Sequence, residues 1–227
     1  MRTYQVRRWL SLTSIAVTLA LGGCATTADN PKDPYEGFNR AMFQVNEGID
    51  VVLKPVAEGY DAAAPLPVKA GVGNFFGNLA DFWIAINGFL QGKGGQGASD
   101  IGRVLVNSTL GIGGLFDIAS EIGMDKHDAD FGQTLGKWGV AEGPFFYWPL
   151  IGPRTTRDTF GWMADAWADP VPAIEDVPMR NTLYGVRIIH TRARLLPADK
   201  LVEQAAFDKY NYIRDAYLQN RRSFIEE

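Results

Sequence analysis

The chain has one cysteine and two histidines among 227 residues. A single cysteine excludes an internal disulfide. His127 and His190 lie far apart in the sequence, which leaves little for metal or acid–base chemistry. His127 stands among Asp125, Asp128 and Asp130, a weak cation site at most and more simply a solvated loop. No G-x-S-x-G elbow is present and no spare cysteine can act as nucleophile, so a lipase or esterase reading lacks its attacking group. Gly92-Lys93-Gly94-Gly95-Gln96-Gly97 fits the dinucleotide spacing. It follows an apolar helical pattern rather than a strand, however, and reads as a flexible connection between helices. Asp130-Phe131-Gly132 has none of the companion motifs of a kinase. Nothing in the sequence calls for a cofactor or a metal.

Past the first two dozen residues there is no apolar run of membrane-spanning length. The leader itself has Arg2, Arg7 and Arg8 followed by a short apolar stretch from Trp9 to Leu21, the pattern of a signal peptide, residues 1–23. Leu21-Gly22-Gly23-Cys24 looks like a bacterial lipobox, in which the cysteine is acylated and becomes the new N-terminus. Three acyl chains at Cys24 make a permanent anchor, since each buried methylene contributes about 0.8 kcal/mol. Ala25 rather than aspartate after the cysteine resembles sorting to the outer membrane, on its periplasmic face. Residues 24–32 form the lipidated N-terminus and a polar tether, and 33–227 a single domain. Without the leader, 19 Lys+Arg stand against 26 Asp+Glu, a net charge of −7. Such a chain is a poor partner for nucleic acid.

The apolar residues recur at helical spacing. Asp33-Pro34-Tyr35-Glu36 reads as a helix start with Asp33 as N-cap. Phe38, Met42, Val45, Ile49 and Val52 then form a stripe that ends before Pro55. Further helices are expected over 67–90, from Ser99 to the glycines at 111–114, and over 155–166, 179–196 and 199–224, with a loop region at 125–153. No strand alternation is apparent, and the expected fold class is all-α.

Charge is unevenly spread. Residues 64–116 carry five charged side chains, Lys69, Asp81, Lys93, Asp100 and Arg103, against 17 in 175–227, a segment of equal length. The 67–90 helix confines its polarity to a narrow stripe of Asn74, Asn78 and Asp81. Such a helix is either buried at the centre of a domain or lies in lipid with its stripe toward a watery passage. An anchored chain with two successive charge-poor helices favours lipid. Glycines 71, 73, 77, 88, 102 and 111 in or beside these helices point to close helix–helix approach. Arg180, Arg187, Arg192 and Arg194 form a polar helix face, solvated or open to a periplasmic partner. The segment EGPFFYWPLIGP, 142–153, is read as a loop whose Phe145, Phe146, Tyr147, Trp148, Leu150 and Ile151 touch the membrane or a porin, the alternative being a loop folded into the protein core.

Several long segments resemble the MlaA (VacJ) lipoprotein family: KDPYEGFNRAMFQVN (32–46), GNFFGNLADFWIAINGFLQGK (73–93), RVLVNSTLGIGGLFDIAS (103–120), DFGQTLGKWGVAEGPFFYWPLIGPRTTRD (130–158), HTRARLL (190–196) and YIRDAYLQNRRSFI (212–225). The resemblance implies a ring-like bundle of amphipathic helices in the inner leaflet of the outer membrane, around a central amphipathic channel. It implies intermembrane phospholipid transport: mislocalised phospholipids leave the outer leaflet and pass to a periplasmic lipid-carrier protein, and members associate with a trimeric porin. Lipid asymmetry is maintained without bond chemistry, so no enzyme activity is expected. Asn74, Asn78, Asn87 and Asn107 are the expected channel-lining residues, since amides hydrogen-bond a phosphate without trapping it. The alternative is a structural, porin-associated lipoprotein without transport activity.

Overall fold

The computed structural model describes residues 30–226. Cys24, the signal peptide and most of the tether lie outside the described residues. Within them the chain forms α1 (Glu36–Ala63), α2 (Leu66–Leu90), α3 (Gly94–Thr109), α4 (Ile118–Glu121), α5 (Phe131–Lys137), strands β1 (Phe145–Trp148) and β2 (Gly152–Thr155), α6 (Thr156–Ala168), a short 3-10 turn (Val171–Ala173), α7 (Val177–Ala205) and α8 (Lys209–Glu226). The fold is all-α apart from one two-stranded hairpin. Five helices start on side chains that accept a backbone N–H of the first turn: Asp117 for α4, Asp130 for α5, Thr155 for α6, Asp176 for α7 and Asp208 for α8.

Five expectations change. The helix start at Asp33 falls later, with Tyr35 as N-cap. Asp33 is instead fully buried, where its carboxylate accepts from Asn39 Nδ2 at 2.7 Å, from the Tyr210 hydroxyl and from Arg214 at 3.3 Å. Pro55 does not end α1, and α7 runs through Pro197 to Ala205, so the break falls at 206–208. Both prolines are exposed, and ion pairs hold α1 to α7 beside them, Asp50 with Arg192 and Lys54 with Glu203 at 3.3 Å. The glycine-rich 94–97 is the first turn of α3 rather than a flexible connection. A Cβ on Gly88 would meet the Gly97 backbone at 3.3 Å, so α2 and α3 cross backbone against backbone. Two of the four arginines on α7 are not free: Arg187 pairs with Asp169 and lies over Phe76, while Arg192 pairs with Asp50 and Asp199.

The fifth change concerns EGPFFYWPLIGP. It is β1 and the turn of an antiparallel hairpin, with Phe145 opposite Thr155 and Trp148 opposite Gly152. Side chains of a strand point alternately to opposite faces. Phe145 and Tyr147 therefore enter the core, 0% and 7% exposed, and pack with Phe43, Tyr210 and Leu218. The rings meet edge to face, Phe43 on Tyr147 at 5.4 Å and on Tyr210 at 5.8 Å, the favoured aromatic geometry. These two residues are core, not membrane or porin contacts. Phe146 and Trp148 take the other face, where Phe146 stacks between Tyr35 at 5.2 Å and Trp148 at 5.4 Å. Leu150 at the turn is 74% exposed and Ile151 is half-buried.

α8 is fastened by charge as well as by Tyr210 and Leu218 in the core. Arg221 bridges Asp130 and Asp158, and Tyr217 donates to Asp158 Oδ2 at 2.6 Å. Asp158 is 1% exposed. A buried carboxylate is tolerable only with several donors, and here the arginine and the tyrosine bring α8 onto α5 and α6.

Candidate functional site

The polar stripe of α2 turns inward. Asn78 donates to Ser108 Oγ at 2.9 Å and Asn74 donates to the Leu115 carbonyl at 3.2 Å. Asp81, one turn on, is 1% exposed and accepts from Lys126 of the segment between α4 and α5. Arg103 of α3, equally buried, donates to both oxygens of Asp117 at 2.8 and 2.9 Å and to Ser120 Oγ at 3.0 Å. Asn107 completes this wall by donating to Asp117 Oδ1 and accepting from Ala119 N–H, both at 2.9 Å. Asn74, Asn78 and Asp81 face Arg103, Asn107, Asp117 and Lys126 across a cavity of about 40 Å³.

Electrostatics sort the two acids. Burial alone would raise Asp117, but bonds from Ser120, Asn107 and Arg103 outweigh it and hold this carboxyl at about 2. For Asp81 burial prevails over the pull of Lys126 and Arg103, and its carboxyl lies above the ordinary aspartate range. Asp165 of α6 is raised as well, by burial, although the Trp83 indole donates to it at 2.7 Å and the Phe131 N–H at 3.0 Å.

Of the four asparagines expected at one passage, Asn74, Asn78 and Asn107 border this cavity, and Asn87 does not. Asn87 is completely buried at the junction of α2 and α5, where it donates to the Trp83 carbonyl at 3.0 Å and accepts from Thr134 Oγ1 at 2.7 Å. Its amide is committed to these partners away from the cavity, and that expectation is corrected. Asp81, Arg103 and Lys126 were not among the expected site residues. The signal for the first two was their rarity, since each is one of five charges in 64–116.

The outer surface is the reverse of this interior. Phe82 and Phe89 of α2, Leu105 of α3, and Leu110, Ile112 and Phe116 beyond it are about half to two-thirds exposed. Trp167 on α6 is 88% exposed. Soluble domains seldom expose so many large apolar side chains together while burying aspartates and arginines. Among the described residues no helix is long and apolar enough to cross a membrane. Helices with apolar outer faces around a polar interior of paired charges define a protein built to work against lipid.

Comparison with known proteins identifies the family. The chain belongs to the MlaA lipoproteins, whose family model matches residues 31–224. It is 37% identical over 225 residues to the intermembrane phospholipid transport system lipoprotein MlaA of Escherichia coli K12, covering 95% of this chain and 88% of that protein. The protein of the same name from Haemophilus influenzae is 32% identical over 92% of this chain and 87% of its own. A solved structure described as the structural basis for maintenance of bacterial outer membrane lipid asymmetry superposes with a TM-score of 0.73 at 35% identity. It covers 85% of this chain and 98% of its own.

Proposed function

We propose that this protein is an outer-membrane lipoprotein of intermembrane phospholipid transport. It withdraws mislocalised phospholipids from the outer leaflet through an amphipathic passage and hands them to a periplasmic carrier, so preserving lipid asymmetry. Cys24 carries the acyl anchor, residues 24–32 the tether, and 33–227 one domain ringed around the passage in the inner leaflet. The observation that carries this reading is the inversion of polarity in 64–116, with Asn74, Asn78 and Asp81 inward and Phe82, Phe89 and Leu105 outward. An apolar exterior admits acyl tails, and a lining of amides and mutually paired charges offers N–H groups to a headgroup phosphate. No bond is made or broken, and direction comes from the leaflet excess and the downstream carrier.

The hairpin edge supports contact with the bilayer or with a trimeric porin. Phe146, Trp148, Leu150 and Ile151 point away from the core, and tryptophan favours the membrane interface. The same exposed apolar surface would serve a porin-associated scaffold without transport, the second reading. Outer-leaflet phospholipid content decides between them, measured in cells lacking the protein and complemented with wild type or Cys24→Ala. The transport reading expects accumulation on deletion, rescue by wild type and poor rescue by Cys24→Ala. Unchanged asymmetry on deletion leaves the scaffold.

A further inference from the structure

The polar cluster around the α2–α3 cavity is rich in acids. Asp81, Asp100 and Asp117 are set against Arg103 and Lys126, and Asp100 Oδ1 lies 3.0 Å from His127 Nδ1. Asp100 lies close enough to repel the Asp81 carboxylate. Two acceptors on the cavity, Asp81 Oδ2 and Asn78 Oδ1, have no hydrogen-bond donor, and their side chains are 1% and 7% exposed. Burying an acceptor without a donor is unfavourable, so this wall suits a small cation that brings N–H groups.

Lys126 already supplies one such group. Its ammonium rests on Asp81 Oδ1 while its side chain is 44% exposed, from an irregular segment between α4 and α5. A fully buried acid is thus paired with a cation that solvent reaches. Gly77 leaves that ammonium its room, since a Cβ there would stand 3.3 Å from Lys126 Nζ. Arg103 is the fixed partner, with Nε 3.7 Å from Asp81 Oδ2 and its other nitrogens committed to Asp117, Ser120 and Met124.

We propose that the cavity receives the primary ammonium of a phospholipid headgroup, such as ethanolamine, in exchange for the ammonium of Lys126. The exchange leaves the number of cations at Asp81 unchanged, which avoids adding charge beside Arg103. A primary ammonium brings three N–H donors to these acceptors, whereas a trimethylammonium donates no hydrogen bond. Phosphatidylethanolamine is therefore preferred over phosphatidylcholine, although both are zwitterionic. This inference rests on the transport reading and names the lipid class within it.

The test is to equilibrate the acylated full chain in micelles with equal amounts of dioleoyl phosphatidylethanolamine, phosphatidylcholine and phosphatidylglycerol, and to quantify bound lipid by mass spectrometry. Wild type is expected to enrich ethanolamine over choline lipid about tenfold, equivalent to about 1.4 kcal/mol. Asp81→Asn keeps the side-chain shape and brings the ratio near one. Lys126→Met, with its native fold checked by circular dichroism, removes the competing ammonium and raises the ratio. Equal binding of the two lipids by wild type, or a ratio lowered by Lys126→Met, overturns the headgroup site while leaving transport standing. Failure to bind any of the three lipids overturns both.

Discussion

Asn39 and Asn46 stand two helical turns apart on α1, and each closes a hydrogen-bonded ring on the free edge of β1. Asn39 donates to the Phe145 carbonyl at 3.0 Å and accepts from Tyr147 N–H at 2.9 Å. Asn46 donates to the Trp148 carbonyl at 2.9 Å and accepts from Leu150 N–H at 2.7 Å. A side-chain amide carries one acceptor and two donors, so it pairs with an edge as a strand would. Asn39 also holds buried Asp33. Asn39→Ala therefore leaves several buried groups unpaired and is expected to destabilise the fold by about 3 kcal/mol, against about 1 kcal/mol for Asn46→Ala at the exposed end. Urea unfolding midpoints rank the two; equal losses contradict this picture of the hairpin.

Among the described residues, only Ile112 and Leu150 combine a side chain with a left-handed backbone, at φ 52° and 64°. They are 66% and 74% exposed. Such a conformation costs about 1 kcal/mol or more without glycine, and no internal contact accounts for keeping large apolar groups there. Ile112→Gly and Leu150→Gly should each raise stability by about 1 kcal/mol and weaken partitioning of the Cys24→Ala chain onto vesicles. Thermal melts and flotation assays read the two effects separately, and unchanged flotation removes these residues from the lipid-facing set.

Helix spacing makes a paired glycine prediction. A Cβ on Gly161 would fall 2.3 Å from the Gly132 nitrogen, backbone against backbone between α6 and α5. Gly161→Ala should destabilise by about 3 kcal/mol through this overlap. Gly185, in α7, has nothing within 4 Å of such a Cβ, so Gly185→Ala should stabilise by up to about 1 kcal/mol through helix propensity. Denaturant unfolding of both variants checks the contrast.

The carboxyls give stability a two-sided pH dependence. Asp165 is raised by burial; its favourable contribution is full below the unfolded aspartate value of about 4 and is lost as pH rises through the folded value. Asp165→Asn keeps an acceptor for Trp83 and Phe131 while removing the charge, so it should stabilise the protein at pH 7 and lose that advantage toward about pH 4. Asp117 is depressed to about 2, so its contribution is full above about 4 and is lost as pH falls from there through the folded value. Chemical denaturation between pH 3 and 7 should find the Asp165→Asn advantage confined to the upper part of the range; an advantage independent of pH contradicts the assignment.

The helices, the inward-facing polar stripe and the family were legible because helical periodicity repeats within a few residues and the charge count of 64–116 needs no coordinates. The hairpin was not legible. Phe145 to Trp148 are all aromatic, so the period of two is hidden until one face meets Tyr210 and the other Tyr35. Nor did the sequence reveal that Pro55 and Pro197 sit inside helices, because the ion pairs and packing between α1 and α7 that carry the helices past them join distant residues.

By itself the sequence determined an all-α chain with a lipid-directed composition, since local spacing and the scarcity of charge are properties of contiguous residues. Tertiary structure alone decided which polar residues act together. Asn39 meets Phe145 across 106 positions and Tyr210 meets Asp33 across 177. Asn87 leaves the company of Asn74 and Asn78, while Lys126 joins Asp81 from an irregular segment. Burial makes an unpaired charge or amide unfavourable, and where each finds its partner depends on how the helices cross.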